Sequence, residues 1–265
     1  MDVKKERLTT IIDILKVHNA ATIKDLADRL QVSEMTMRRD LAQLADDNIV
    51  KLIHGGVIFN RTGLDTAALL TETDAGTYYL SSEENRRVEE KRKIAEKAAS
   101  LIKPEDVVII DSGSTTEFIG EYLPANMPVT IICFSVNILL SVYSRRNCRI
   151  IFAGGYFHEN ALMFESPEGV ELIRRNRAAK AFLSARGVSA ELGITSALPY
   201  EIEMKRAAMG SSLEKILLVD SSKFDRVCPA HFANLADLNA IVTDGGIPQN
   251  YRKLCGKYGI RLYLV

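Results

Sequence analysis

Ser33-Glu34-Met35-Thr36-Met37-Arg38-Arg39-Asp40-Leu41 reads as the opening of an amphipathic helix, predicted to run to about Asp46. Ser33 suits its N-cap, because a serine hydroxyl accepts a hydrogen bond from a first-turn amide that has no partner inside the helix. At about 100° per residue, Met37, Leu41 and Leu44 fall into one narrow sector and face a core. Met35, Arg39, Ala42 and Gln43 point to the opposite side, and Thr36 and Arg38 flank the apolar sector. Two adjacent arginines therefore sit off the core near the helix start. An arginine in that place either reads a guanine edge with two hydrogen bonds or holds a phosphate without reading sequence. The spacing does not say which arginine does which.

Upstream, Leu8, Ile11, Ile12 and Leu15 recur at helical spacing, so residues 4–17 are predicted as helix. Asn19-Ala20-Ala21 breaks it. Thr22 opens a second helix, with Asp25 three residues on as a variant capping box. Its apolar face is Leu26, Ala27 and Leu30, and Gln31-Val32 turns the chain into the Ser33 helix. Downstream, Ile49 to Val57 alternates apolar residues around Gly55-Gly56, a short hairpin of the kind that forms the wing of a winged helix. A helix-turn-helix lays its second helix in the major groove. The expected DNA-facing set is Ser33, Met35, Thr36, Arg38, Arg39 and Gln43 on that helix, with Lys51 and His54 on the wing near the DNA backbone. A small helical bundle with solvated charges has the same periodicity.

Residues 60–80 are rich in Thr, Asp, Ala and Gly without sustained period and read as a linker. The predicted domains are therefore 1–59 for DNA binding, 60–80 as linker and 81–265 as a second domain. A helix is predicted over 82–102. Apolar runs then alternate with helical segments: 107–110, 129–133, 149–152, 180–184, 216–219, 240–243 and 261–265. That alternation implies an α/β fold with a mostly parallel sheet. The strand-end loops include Asp111-Ser112-Gly113-Ser114-Thr115-Thr116, Phe134-Ser135-Val136-Asn137, Gly154-Gly155 and Asp220-Ser221-Ser222-Lys223. In a parallel sheet these gather at one edge, where ligands bind. Gly and Ser let backbone amides approach a ligand, and Ser114-Thr115-Thr116 opens a helix whose N-terminus favours an anion. Lys223 and Lys205 supply positive charge, so the edge suits a phosphorylated, hydroxyl-rich molecule. The plainer alternatives are that Asp111 caps its turn and that Asp220 and Lys223 form a structural ion pair.

The 34 basic and 34 acidic side chains cancel. DNA contact must therefore come from local charge, and a DNA-bridging structural protein is disfavoured. Cys133, Cys148, Cys228 and Cys255 lack C-x-x-C spacing, and His158 and His231 lack spacing partners, so neither metal nor cofactor is expected. With no secretion signal and no run of about 18 apolar residues, the expectation is a cytoplasmic protein without a membrane segment.

Arg7, Leu26-Ala27, Val32-Ser33-Glu34, Thr36, Arg38-Arg39-Asp40-Leu41, Leu44 and His54-Gly55-Gly56 together resemble the DeoR family of bacterial regulators. Met37 stands where that family has a β-branched residue. The second domain is similar too, in Lys91 to Ala95, Asp111-x-Gly-Ser-Thr-Thr, Ser135-x-Asn137, Gly154-Gly155, Glu203-x-Lys205 and Asp220-x-Ser-Lys-Phe224. Ser33-Glu-Met-Thr, Val88-Glu-Glu-Lys-Arg and residues 157–164 are most similar to the repressor that names the family. The resemblance implies a winged helix-turn-helix joined to a sensor domain whose fold resembles sugar-phosphate isomerases. It implies double-stranded operator DNA and a phosphorylated sugar effector as partners, in a homo-oligomer. Asp111, Gly113, Ser114, Thr115 and Thr116 match the family's phosphate loop. Asn137, Gly155, Glu203, Lys205, Asp220 and Lys223 match the rest of its pocket, whereas Arg186 stands where a small residue is usual. The different-class alternative is an isomerase-like enzyme with an appended DNA-binding domain. Its base would be Glu203 with Lys205, or Asp111.

Overall fold

The computed structural model describes residues 3–18, 20–46, 49–53, 56–59, 80 and 86–265. The chain divides into two compact units, Met1–Asp74 and Ala75–Val265. His54 and the predicted linker, Leu80 excepted, lie outside the described residues.

In the first unit, α1 (Val3–His18), β1 (Ala20–Thr22), α2 (Ile23–Arg29) and α3 (Glu34–Asp46) precede the hairpin β2 (Val50–Ile53) and β3 (Gly56–Phe59). Each of the later helices starts on a side-chain cap. The Thr22 hydroxyl accepts from the Asp25 amide at 3.0 Å, and the Ser33 hydroxyl accepts from the Thr36 amide at 3.1 Å. Met37, Leu41 and Leu44 are buried with Ile11, Leu15, Leu26 and Val57 in one apolar cluster. This is a winged helix-turn-helix, with one difference from the sequence expectation. Ala20 to Thr22 do more than break a helix: they add a strand, giving a sheet in the order β1-β3-β2. Three residues carry no readable alternation, and the pairing that makes them a strand comes from β3, far along the chain.

The second unit opens with α4 (Val88–Ser100). It starts at Val88, because Arg87 adopts a left-handed conformation with φ 52° that a helix does not continue through; residues 82–85 of the predicted helix lie outside the described residues. Then follow β4 (Val107–Ile110), a 3₁₀ turn (Thr116–Phe118), α5 (Ile119–Tyr122), β5 (Val129–Cys133), α6 (Val136–Val142) and β6 (Cys148–Phe152). Next come β7 (Tyr156–His158), β8 (Met163–Glu165), α7 (Pro167–Arg175), β9 (Ala178–Leu183), β10 (Gly187–Ser189), β11 (Gly193–Ser196) and α8 (Ile202–Gly210). The unit ends with β12 (Ser212–Leu218), β13 (Ala230–Ala233), β14 (Ala240–Thr243), α9 (Gln249–Tyr258) and β15 (Arg261–Leu264).

Every predicted strand joins one seven-stranded sheet, in the order β15-β14-β12-β9-β4-β5-β6, and all its pairings are parallel. Alternate residues go to two separate cores. Ile109, Ile132 and Leu183 pack on one face, while Val108, Ile110, Ile131 and Phe182 pack on the other. Both faces are covered, which is why these strands read as apolar runs rather than as alternations. The short β7-β8 hairpin and the antiparallel sheet β10-β11-β13 were not anticipated. The decisive feature is the sheet order. From β4 the chain winds outward through β5 and β6, then returns to β9 and winds the other way. The crevice beyond the carboxyl ends of β4 and β9 is the topological switch point, where a doubly wound sheet takes its ligand.

Candidate functional site

On α3 the apolar sector is buried as its period requires, with Met37 and Leu41 at 0% exposure. Met35, Arg38, Arg39 and Gln43 are exposed, and Thr36 is half-buried. Arg38 pairs loosely with Glu34 at 3.8 Å, an exposed contact of little energetic consequence. Ser33 and Thr36 bond to each other through their hydroxyls at 2.9 Å, so both take part in the cap. Lys51 lies in β2, in register with Ile58 of β3. Sequence periodicity missed Asp40, which is buried and accepts from Arg7 Nε at 2.6 Å. That charged hydrogen bond ties α1 to α3 and fixes how the helix is presented.

The second candidate site fills the switch point. A cavity there is lined by Ser112, Gly113, Ser114 and Thr115 after β4, by Ser184, Ala185 and Arg186 after β9, and by Ser196, Glu201 and Lys223. The loop after β4 is built to a close tolerance. A Cβ on Gly113 would lie 2.7 Å from Ser184 Cβ and Oγ, so only glycine fits beside β9. Thr116 donates to the carbonyls of Asp111 and Gly113 at 2.7 and 3.1 Å. Asn137 donates to Glu117 at 2.9 Å and to the Gly113 carbonyl at 3.4 Å. Thr116 and Asn137 thus hold the loop from behind, and neither lines the cavity.

Buried charge surrounds this loop. Lys91, on α4 and only 1% exposed, donates to Ser114 Oγ at 2.8 Å. By spacing it belongs to a charge run, residues 88–92, that reads as a solvated face, and the sequence marks it only within the stretch similar to the sensor domain. Lys205 is fully buried, donates to Asp111 Oδ2, and sits 3.4 Å from Glu201. Asp111 Oδ2 also accepts from the Ser184 amide at 2.9 Å and hydroxyl at 3.1 Å, while its Oδ1 is buried with no hydrogen-bond partner among the described residues. Burial opposes the charge on Lys205, but Asp111 and Glu201 outweigh it and raise the ammonium pKa. Burial also pushes the Glu201 carboxyl upward, against the pull of Lys205 and of the Ser196 hydroxyl that donates to it.

Asp220 caps the 3₁₀ turn Ser221–Lys223 by accepting from the Ser222 amide at 2.9 Å. Burial raises its pKa, yet the Ser222 hydrogen bonds, the Lys223 ammonium and the Arg87 guanidinium win and hold it below the usual carboxylate range. It therefore supports the turn, and Lys223 is the residue that reaches the cavity.

Two expected pocket residues lie elsewhere. Glu203 is exposed and faces Arg174 at 3.7 Å and Arg206 at 3.5 Å. It stands two positions from Glu201 and Lys205, on the other face of the segment. Gly155 borders a separate cleft with Tyr156 and Ser166. Its φ of +147° and a would-be Cβ contact of 2.3 Å with the Glu165 carbonyl explain the glycine as a requirement of the β7-β8 hairpin. Thr116 opens a 3₁₀ turn and then a four-residue helix, too short to build much of a macrodipole. The cations beside this loop are Lys91, bonded to Ser114, and Lys223 in the cavity wall. Among the described residues no group of three or more His, Cys, Asp or Glu is placed to hold a metal ion, and no helix is long and apolar enough to cross a membrane.

Comparison with known proteins matches both units. A family model described as the DeoR C terminal sensor domain covers residues 86–245, and one described as a DeoR-like helix-turn-helix domain covers residues 7–62. The deoxyribose operon repressor of Escherichia coli (strain K12) is 32% identical over 98% of this chain and 98% of its own. The L-fucose operon activator of Haemophilus influenzae is 27% identical over 96% of this chain and 97% of its own. Among solved structures, ribose 5-phosphate isomerase from Plasmodium falciparum overlaps 51% of this chain and 52% of that one. Its TM-score of 0.37 and 15% identity are too low to bear on function.

Proposed function

The chain belongs to the DeoR family of transcription regulators, and from that premise we propose that it represses a sugar or nucleoside catabolic operon and that a phosphorylated sugar changes its DNA affinity. The observation that carries the effector reading is the buried cation set at the switch point. Lys91 is held on Ser114 and Lys223 lines the cavity, both nearly inaccessible to solvent. A phosphate brings negative charge and several strong acceptors to such donors at once. A free sugar brings hydroxyl acceptors but no charge. The carboxyl oxygens of Glu201, which lines the cavity, can accept hydrogen bonds, which suits hydroxyl donors on the rest of the molecule. In this reading Ser112, Gly113, Ser114, Thr115 and Lys223 hold the phosphate and Glu201 meets a hydroxyl. Lys91, Lys205, Thr116, Asn137 and Asp220 position them.

Arg38 and Arg39 are the proposed readers or holders of double-stranded operator DNA. A homo-oligomer is part of the proposal, since one winged helix reads too few base pairs to specify an operator. The test is fluorescence anisotropy with a DNA fragment selected by the protein from random sequence. Adding ribose 5-phosphate, glucose 6-phosphate or a related ester should change DNA affinity, and the parent sugars should not. Thr115→Asp, which sets like charge against the phosphate, should abolish the response. A response to free sugars of equal size would contradict the reading.

A sugar-phosphate isomerase is the second reading, and Glu201 favours it. A buried carboxylate with an upward-shifted pKa beside a cavity is what a general base needs. We infer a sensor, because fold alone does not carry function. Turnover of pentose or hexose phosphates that is lost in Glu201→Gln would make the enzyme the better account.

A further inference from the structure

Leu80 follows the DNA-binding module in the chain and precedes α4. It is 2% exposed and forms part of the wall of the switch-point cavity, whose other described lining residues run from Ser112 to Lys223. Further on, the Arg87 guanidinium donates to Asp220 Oδ1 at 3.2 Å and to Ser221 Oγ at 2.7 Å. The same guanidinium lies 3.8 Å from Asp244. Those contacts fasten Arg87 to the turn that carries Lys223. The chain entering the sensor is thus attached twice to one site, by an apolar side chain in the cavity wall and by an ionic tie on its rim.

With Leu80 in place, the cavity volume is about 40 Å³. That is room for a few waters, each needing about 10–15 Å³ on this measure, whereas small-molecule sites run to about 300–1,000 Å³. The remaining wall is mixed: five hydroxyls and three charged side chains stand beside the apolar Ala161, Ala185, Leu218 and Val219, and a leucine side chain can hydrogen-bond to none of the polar part. We propose that Leu80 is an autoinhibitory contact: it fills the room that the sugar phosphate needs, and the ligand binds by displacing it. This rests on the reading of the cavity as a sugar-phosphate site. A ligand that tolerates only the displaced arrangement has the differential affinity that any switch requires, since equal affinity for two states shifts neither. In the sequence Leu80 stands between the DNA-binding module and α4, so the ligand displaces a residue of the chain that joins the two domains.

The experiment uses the full chain as wild type, Leu80→Val and Leu80→Ala, with folding of each checked by its melt. Ribose 5-phosphate and glucose 6-phosphate are titrated by calorimetry, with ribose, glucose and inorganic phosphate as controls. DNA affinity is measured with and without each ester. Removing the competing side chain should tighten ester binding in the order Ala, Val, wild type, by about tenfold for Ala. The change in DNA affinity on adding the ester should shrink in the same order, because the variants already favour the displaced arrangement. Ester binding that is unchanged or weaker in both variants, with wild type still binding, overturns the proposal and leaves the cavity reading standing. If no ester binds wild type or either variant, both are overturned.

Discussion

The two units use charge in opposite ways. On α3, Arg38 and Arg39 are exposed and cost the fold almost nothing to keep charged. At the switch point, Lys91, Lys205, Asp111 and Glu201 are all buried, and each ion must be compensated by a neighbour. A surface that meets DNA in solvent can wait for its partner with its charges hydrated. A cavity that selects a small anion must hold its cations dehydrated in advance, so binding chemistry and stability become the same thing there. Substitutions should therefore separate function from stability in the first unit and not in the second.

The largest effect should come from Lys205→Ala. It strands Asp111 and Glu201 in the interior, and breaking a buried pair costs about 3–5 kcal/mol. Urea unfolding of the sensor would show it, and a loss near zero would mean that the pair is not charged. Gly113→Ala comes next. Its methyl would lie 2.7 Å from Ser184, and overpacking of that kind costs about 1–3 kcal/mol, together with loss of any melt shift by a sugar phosphate. Arg38→Ala and Arg39→Ala should each weaken operator binding, by about 1–3 kcal/mol for a base-reading arginine. Both should leave unfolding within about 0.5 kcal/mol of wild type. An arginine that holds a phosphate should instead weaken all sequences alike and reduce the salt dependence. Footprints identical to wild type in both variants would remove α3 from the DNA interface. Glu203→Ala should do least. Stability should move by no more than about 0.5 kcal/mol and ligand binding not at all, whereas a lost ligand response would return Glu203 to the site.

The same contrast explains what could be read from the sequence. Met37, Leu41 and Leu44 repeat at helical spacing and α3 has one solvent face, so period alone separates core from surface. The seven strands of the large sheet were equally legible, because burial on both faces writes them as apolar runs. Their spatial order was not, and it is the order that puts the end of β4 beside the end of β9. Lys91 and Glu201 were missed because residue type predicts exposure for Lys and Glu. Only the packing of α4, and of the turn Pro199–Glu201 that precedes α8, buries them. Glu203 had been placed in the pocket by resemblance, and the phase of its helix turns it to solvent. Arg7 with Asp40 is a contact between residues distant in sequence, which no local spacing encodes.

The most direct test of the central claim, that the switch-point cavity recognises a phosphorylated sugar, is the melting temperature of the full chain with paired ligands. Each sugar phosphate is compared with its free sugar and with inorganic phosphate, in wild type and in Lys91→Met. At about 100 times its dissociation constant, a bound ester adds roughly 2.7 kcal/mol of apparent stability, well within reach of a melt. The expected result is a rise with at least one ester, no rise with its parent sugar, and a diminished rise in Lys91→Met. Equal shifts by ester and free sugar, or a shift that Lys91→Met leaves whole, would contradict the account.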